Sequence, residues 1–176
     1  MVSPARLAAF HVLRLVETGP LDLASALDPV RRSLDDARDR ALTSEIVHGV
    51  LRWRAALDHV IAWAGRRTIE EFDAAVLEVL RIGAYQLLHL SRVPASAAVS
   101  ESVELVRRVG AIRAAGAVNA ILRAIGRQRQ ALPFPTEHDP VAFLGVTCSH
   151  PRWSSFWPAH WFPVPSPFTS PPTTGT

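Results

Sequence analysis

The basic residues are the first feature of this 176-residue chain that could do chemistry, because all nineteen of them are arginines. A guanidinium binds phosphate through two hydrogen bonds and stacks on bases, which the ammonium group of lysine does less well. Against 16 acidic residues the arginines leave a formal charge of +3 and a pI near 10.3, which favours an anionic partner. An arginine-only, alanine-rich composition also follows from a GC-rich genome, so composition alone does not identify the partner.

The spacing of the first arginines indicates a contact with RNA. Arg6 and Arg14 are eight residues apart, on one face of a predicted helix, and Phe10 lies between them. An exposed ring between two cations can stack on an unpaired base; the alternative is a ring buried at the bundle edge beside two solvated arginines. Further arginines would bind a nucleic-acid backbone if the fold collected them on one surface. The candidate RNA-binding residues are Arg6, Phe10, Arg14, Arg38, Arg40, Arg52, Arg107, Arg108, Arg113 and Arg123.

Residue types that catalyse reactions or bind metals are present without the spacing that such sites need. Cys148 and His150 could supply two ligands to one metal, but nothing near them supplies the other two. The chain has no Gly-x-Gly-x-x-Gly string and no P-loop. The paired acids Asp35-Asp36 and Glu70-Glu71 lie at predicted helix starts, where the helix dipole explains them. We therefore expect no catalytic residue, no cofactor and no metal site.

Helical periodicity covers the first 132 residues, and no segment alternates with a period of two. Ser3-Pro4 predicts the start of a first helix, and a second helix is predicted to begin near Asp36 or Asp39. Thr68 to Glu71 fits a capping box ahead of a third helix over roughly 73–90, whose broad apolar face indicates a central position. Two more helices are predicted, one from about Pro94 to Gly110 and one over about 113–130. The fold class is predicted to be an all-α bundle.

Some residues within the predicted helices are expected to serve packing or pairing. Gly49 and Gly83 each cost ~1 kcal/mol relative to alanine, and a close approach of two helices explains them better than a ligand. Asn119 is expected to satisfy a backbone group at a helix junction. Glu104 and Arg108 are four residues apart, so an ion pair is expected between them.

The composition changes after residue 132. Residues 1–132 contain four of the fourteen prolines, and no charged side chain follows Arg152. We expect a helical domain over 1–132, a linker over 133–153, and a Pro/Trp-rich tail with little regular structure over 154–176.

The sequence also indicates the cellular compartment of the chain. No run approaches the ~18 apolar residues of a membrane span, and His11 and Arg14 interrupt the apolar start, which makes a secretory signal a poor fit. The single cysteine fits a reducing compartment. We expect a cytoplasmic chain that does not bind membranes.

Six ordered strings resemble the NusB-like RNA-binding domain, in the form found at the N-terminus of the RsmB (Sun) family of rRNA cytosine-5 methyltransferases. The resemblance covers about residues 1–132 and continues, less densely, to Ser149-His150-Pro151-Arg152-Trp153. It implies a bundle of two packed helical subdomains, an RNA-contacting role for Arg6, and, in stand-alone relatives, transcription antitermination together with a ribosomal protein. The strings are Arg6-x-x-Ala9 with Leu13, Asp39-Arg40-Ala41-Leu42, Gly49-Val50-Leu51-Arg52, Leu80-Arg81-Ile82-Gly83-Ala84-Tyr85-Gln86-Leu87, Val99 with Glu101-Ser102-Val103, and Val118-Asn119-Ala120-Ile121-Leu122-Arg123.

The resemblance ends where those methyltransferases continue into a Rossmann-like catalytic domain, which binds S-adenosylmethionine and uses two cysteines. Only 23 residues follow Trp153, too few for a domain that encloses a cofactor. Thr147-Cys148-Ser149 matches the family's catalytic motif, but it precedes the catalytic domain and lacks the second cysteine, so we expect no catalysis by Cys148. The loss of charge after Trp153 suggests a frameshifted or truncated gene, with a native interaction tail as the alternative.

Three functions remain open. The first is a non-catalytic RNA-binding module, whose partner is rRNA or a nascent transcript. The second is a truncated remnant of an S-adenosylmethionine-dependent small-subunit rRNA methyltransferase. The third is a protein-interaction module that meets a ribosomal or transcription protein during antitermination.

Overall fold

The computed structural model describes residues 2–19, 21–129 and 131–132. Within these ranges the chain forms six α-helices and no strand, so the predicted all-α class is confirmed. The linker expected over 133–153 and the tail expected over 154–176 lie outside the described residues. The helices are α1 (Pro4–Thr18), α2 (Leu23–Arg32), α3 (Ala37–Gly65), α4 (Ala74–His89), α5 (Ala95–Arg108) and α6 (Ala115–Arg127), with 3₁₀ turns at Ile69–Glu71 and Ile112–Ala114.

Side chains that accept hydrogen bonds from backbone N–H groups fix several helix starts. Ser3 caps α1 and Asp36 caps α3, as their positions before periodic apolar segments predict. The capping box formed by Thr68 and Glu71 begins a 3₁₀ turn rather than an α-helix, and Asp73 caps α4 two residues later.

Helix α2 is the element that the apolar periodicity does not predict. It has only ten residues, it contains Pro29, and only Ala26 and Leu27 on it are buried. Proline removes a backbone donor within the helix, and two buried residues do not make a recognisable period. Asp22 nevertheless caps the helix by accepting a hydrogen bond from the Ser25 N–H group. The expectation that the second helix begins near Asp36 is therefore wrong, since that helix is the third.

Helix α4 lies at the centre of the bundle, as its broad apolar face predicts. Every residue over 76–88 is buried, and α4 packs against α1, α3, α5 and α6. The helices α1 to α3 contact one another, as do α5 and α6. This arrangement confirms the expected pair of helical subdomains.

Two helical glycines allow the close approach that their positions suggest. A Cβ atom at Gly83 would lie 2.6 Å from Leu122 on α6 and 2.7 Å from the Ser102 hydroxyl on α5. A Cβ atom at Gly49 would lie 1.9 Å from the ring of Tyr85. Both contacts are too short for a real side chain, so glycine sets how closely α3, α5 and α6 pack against α4.

Candidate nucleic-acid interface

The two residues expected to contact RNA at the start of α1 are instead part of the interior. The Arg6 side chain is 7% exposed; it donates hydrogen bonds to Gln86 Oε1 at 2.7 Å and Ser3 Oγ at 2.8 Å and forms an ion pair with Glu101 at 3.2 Å. Phe10 is 6% exposed. The expectation of an exposed aromatic ring is therefore wrong, because this face of α1 packs against α3 and α4. Arg6 holds α1 to α4 and α5.

Arg14 belongs to an ion network between α1, α3 and α4. It pairs with Glu17 at 2.9 Å, and Glu17 also pairs with Arg54 and, at 3.5 Å, with Arg81. Arg81 is 3% exposed and donates to both carboxylate oxygens of Asp58, at 2.7 and 2.9 Å. Its remaining nitrogen lies 3.1 Å from the equally buried Glu78. We refer to Arg14, Glu17, Arg54, Asp58, Glu78 and Arg81 together as the Arg81 cluster.

The pKa values within the Arg81 cluster follow from burial and pairing. Burial opposes the charge of Arg81, but the hydrogen bonds and charges of Asp58 and Glu78 together outweigh it and raise the pKa of the guanidinium. Burial raises the pKa of Glu78 despite the nearby Arg81. Burial also acts to raise the pKa of Glu17, but Arg54, Arg81 and Arg14 together outweigh it and the net shift is downward. The opposite charges of the cluster stabilise one another, and its two most deeply buried members, Arg81 and Glu78, are each 3% exposed.

The three candidate arginines of α3 do not form a group. Arg40 is half-buried and donates to the carbonyl oxygens of Leu34 and Asp35 at 2.6 and 2.9 Å, which secures the connection between α2 and α3. Arg38 is exposed in the first turn of α3, and Arg52 is exposed near its middle. Fourteen residues of helix separate Arg38 from Arg52, which is about 21 Å at 1.5 Å per residue.

Arg107 and Arg123 are brought together across a groove between α5 and α6. Arg107 pairs with Glu104 on its own helix, so the ion pair expected for Arg108 forms one residue earlier. On the facing helix, Arg123 Nε donates to Asn119 Oδ1 at 2.9 Å. This α5–α6 groove has a volume of about 410 Å³ and is lined by Ser96, Val99, Ser100, Val103, Glu104, Arg107, Ala115, Gly116, Asn119 and Arg123.

A second groove continues from the first on the other side of Arg107. This α1–α5 groove has a volume of about 620 Å³ and is lined by Val2, Pro4, Leu7, Glu104, Arg107 and Arg108. The Ser3 N–H group donates to Glu101 Oε2 at 3.0 Å, which fixes the start of α1 against α5. Arg113 is exposed in the turn that joins α5 to α6. We refer to Arg107, Arg108, Arg113 and Arg123 as the α5–α6 arginines.

The charge of the bundle is unevenly distributed along the chain. Residues 1–94 contain twelve arginines and twelve acidic residues, whereas residues 95–132 contain six arginines and only two acidic residues. Those two acids are Glu101, which accepts from Ser3 and pairs with Arg6, and Glu104, which pairs with Arg107. The net positive charge of residues 1–132 therefore comes entirely from α5, α6 and their adjoining turns.

A ring stack between α3 and α4 is a feature that sequence reasoning missed. The Trp53 and His89 rings are 5.1 Å apart and 10° from parallel, and Tyr85 stacks on His89 at the same distance. The Tyr85 hydroxyl donates to Glu45 at 2.6 Å. Burial, with a smaller contribution from Arg129, lowers the pKa of His89 to about 4. In the sequence, the four-residue spacing of Tyr85 and His89 was the signal that could have predicted this stack.

The described residues hold no group of three side chains suited to a metal ion, and no helix in those ranges is both long and apolar enough to cross a membrane. Cys148 and His150 lie outside the described residues.

Comparison with known proteins places this bundle in a family. Residues 3–127 match the model of the NusB family. The chain belongs to the NusB family.

Relatives of this NusB-family chain include rRNA methyltransferases, as the sequence resemblance implies. The ribosomal RNA small subunit methyltransferase B of Pseudomonas putida is 37% identical over 161 residues, which cover 89% of this chain and 36% of that protein. A putative methyltransferase of Mycobacterium tuberculosis is 36% identical over 159 residues, covering 86% of this chain and 34% of that protein. The chain thus spans about a third of the length of these curated relatives.

The NusB fold is also evident in solved structures. A chain in the crystal structure of the antitermination factors NusB and NusE in complex with double-stranded RNA superposes with a TM-score of 0.64 at 21% identity. The match covers 70% of this chain and 94% of that chain. The family and fold implied by the six sequence strings are both confirmed.

Proposed function

We propose that this NusB-family chain is a non-catalytic RNA-binding module that holds structured RNA on the α5–α6 arginines. The observation that carries the proposal is the charge distribution: the N-terminal 94 residues are electrically balanced, and residues 95–132 carry all the excess. Phosphate contacts supply most of the sequence-independent affinity for nucleic acid. A surface with unbalanced guanidinium groups is where such contacts are favourable.

The exposure and pairing of the individual arginines support the α5–α6 arginines as the RNA-binding surface. Arg108 and Arg113 are exposed, and within the described ranges neither forms a hydrogen bond or ion pair through its side chain. Arg107 and Arg123 are exposed too, and each is oriented by one neighbour on its own helix. Arg6 and Arg81, in contrast, are enclosed by several partners. Arg6 and Phe10 are accordingly left out of the proposed interface.

We infer that the RNA is small-subunit ribosomal RNA, because that substrate is named for the relatives with which the chain shares 37% identity. The chain matches about a third of their length, and RNA binding is the role that we propose for this matched part. Incubation of the purified chain with radiolabelled S-adenosylmethionine and this RNA is expected to transfer no methyl group. Transfer above the level of a heat-denatured control would contradict a non-catalytic role.

A titration of RNA binding against salt tests the interface. The double variant Arg107→Gln, Arg123→Gln is expected to bind structured RNA roughly a hundredfold more weakly, since each of the two lost charge-assisted hydrogen bonds contributes about 1.5 kcal/mol or more. The slope of log affinity against log salt should fall by about 1 to 2. The matched control is Arg31→Gln, Arg32→Gln, which removes two exposed charges from α2 and should retain most of the affinity.

The possible outcomes test RNA binding by the chain separately from the assignment of that binding to the α5–α6 arginines. Absence of RNA binding by the unmodified chain at ~50 mM salt, where electrostatic contacts are strong, would rule out the function. Equal losses in both double variants would show that RNA responds to total charge, which would rule out this surface as the interface.

A protein partner is the second candidate. It is favoured by the likeness to a chain of the NusB–NusE–RNA complex and by the α1–α5 groove, to which Val2 and Leu7 contribute apolar surface. Under this alternative the chain binds a transcription protein after RNase treatment. Such binding should be lost in Leu7→Asp and retained in Arg123→Gln.

A further inference from the structure

We propose that the α5–α6 groove holds one unpaired nucleotide of the bound RNA, with its phosphate on Arg107 and Arg123. The inference rests on the proposed function and adds to it the form of RNA that this surface accepts. RNA-binding proteins read single-stranded loops and bulges by separating bases from their stack and enclosing them. The groove has the size, lining and charge for such a base.

The size and floor of the groove suit a base. Its volume of about 410 Å³ falls within the roughly 300–1,000 Å³ range of pockets that enclose small organic molecules. Val99 is buried and Val103 and Ala115 are half-buried along this groove, which gives it an apolar floor for the face of a ring. A fully paired duplex presents phosphate rims and grooves but no free base that could enter.

The walls of the groove supply polar groups on both sides. Arg123 uses its Nε to reach Asn119 Oδ1, which leaves the terminal guanidinium nitrogens of Arg123 and the amide N–H groups of Asn119 as donors. Arg107 faces them from α5, held by Glu104. The one acidic residue of the lining is thereby neutralised. The groove therefore favours an anionic occupant with hydrogen-bond acceptors, such as a nucleotide, over an acidic or purely apolar peptide.

A substitution at Gly116 can fill the groove without changing any charge. It is exposed in the first turn of α6, and a Cβ atom built there meets no other atom within 4 Å. A Cβ atom therefore fits without a clash at that position, and leucine has a higher helix propensity than glycine. We therefore expect Gly116→Leu to fold. Ala117, exposed on the same helix but not part of the groove lining, gives the matched control Ala117→Leu.

The experiment measures the affinity of each variant for two small-subunit rRNA fragments: a hairpin with an unpaired loop, and a fully paired duplex of the same length. Gly116→Leu is expected to weaken hairpin binding roughly tenfold or more, as base stacking on protein surfaces does when it is removed. Binding to the duplex should change less than twofold, and Ala117→Leu should change neither. Thermal unfolding of both variants checks that they remain folded.

Each other outcome has a distinct meaning. If the unmodified chain binds neither RNA, the proposed function fails, and the inference fails with it. If it binds the hairpin and Gly116→Leu binds equally well, the function stands and the inference is overturned. If Gly116→Leu weakens binding to the hairpin and to the duplex alike, the groove contacts the phosphate backbone of any RNA. The inference of a site for an unpaired nucleotide is then overturned. Loss of a protein partner in Gly116→Leu, with hairpin binding intact, would assign the groove to a peptide instead.

Discussion

The Arg81 cluster and the α5–α6 arginines use one residue type for opposite purposes. In the Arg81 cluster, acids from α1, α3 and α4 surround a guanidinium that is 3% exposed. The four α5–α6 arginines are all exposed, and among the described residues only Arg107 pairs with an acid, Glu104. The first arrangement ties helices together, and the second leaves positive charge facing solvent.

The difference shows that the number of arginines does not by itself locate an interface. What matters is whether acids from other helices reach the guanidinium once the chain has folded. A buried ion pair costs desolvation that its attraction must offset, so such a pair persists only where several partners converge. A solvent-exposed arginine incurs no such cost and keeps its hydrogen bonds available for a ligand.

The largest expected effect on the free energy of unfolding comes from removing the buried guanidinium of Arg81. Arg81→Leu leaves Glu78, which is 3% exposed, without its cation, and removing one partner of a buried pair costs about 3–5 kcal/mol. The free energy of unfolding, measured by urea denaturation, is expected to fall by that amount at pH 7. The control is Arg54→Leu, at a side chain that is 40% exposed, where about 1 kcal/mol or less is expected. Similar losses in the two variants would show that burial does not set the difference.

A smaller effect is expected from a pH titration of the ring stack that joins α3 to α4 beside the Arg81 cluster. The pKa of His89 falls to about 4 in the folded chain, below its unfolded value of about 6.5. Protonation therefore favours the unfolded state: the stabilisation is fully present above about pH 6.5 and is lost as the pH falls towards 4. Unfolding followed from pH 7 to pH 4 should show a loss of up to about 3 kcal/mol from this residue.

The variant His89→Phe isolates this contribution. It keeps a flat ring between Trp53 and Tyr85 but does not titrate, so its unfolding free energy should vary less with pH by the amount assigned to His89. The carboxylates, including Glu78 with its raised pKa, contribute equally to both curves. Parallel curves for the two proteins would contradict the burial of a neutral imidazole. Residues 95–129 contain no histidine, so no imidazole of that segment adds to the pH dependence between pH 7 and pH 4.

The smallest expected effect concerns the stability contribution of the exposed arginines. Arg107→Gln and Arg123→Gln are each expected to change the free energy of unfolding by less than about 0.5 kcal/mol, as surface substitutions usually do. Urea denaturation of each single variant measures it. A loss above about 1 kcal/mol at either position would assign that arginine to the structure and weaken its role in binding RNA.

Much of the fold could be predicted because its signals are local. Ser3 and Asp36 cap helices where the sequence places them, and Gly83 marks a close helix contact. Helix α2 escaped prediction because Pro29 interrupts it and only two of its residues are buried. Local capping and periodicity reveal a helix only when enough of its residues face the core.

The candidate site was less predictable than the fold. The helical spacing of Arg6, Phe10 and Arg14 correctly predicts that they lie on one face of α1. Spacing alone does not show whether that face packs against other helices or faces solvent. The partners that enclose Arg6 are Gln86 and Glu101, far away in the sequence. Asn119 was expected to bond to the backbone, but it instead accepts from Arg123.

The sequence alone determined the helical class, the family, most helix boundaries and the charge excess after residue 94, because periodicity, caps and charge counts are properties of neighbouring residues. Only the tertiary structure decided which arginines are enclosed and which face solvent. The ion pairs of Arg6 with Glu101 and of Arg81 with Asp58 join residues that meet only when separate helices pack. Burial then makes those pairs structural, while the arginines of α5 and α6 remain available for a partner.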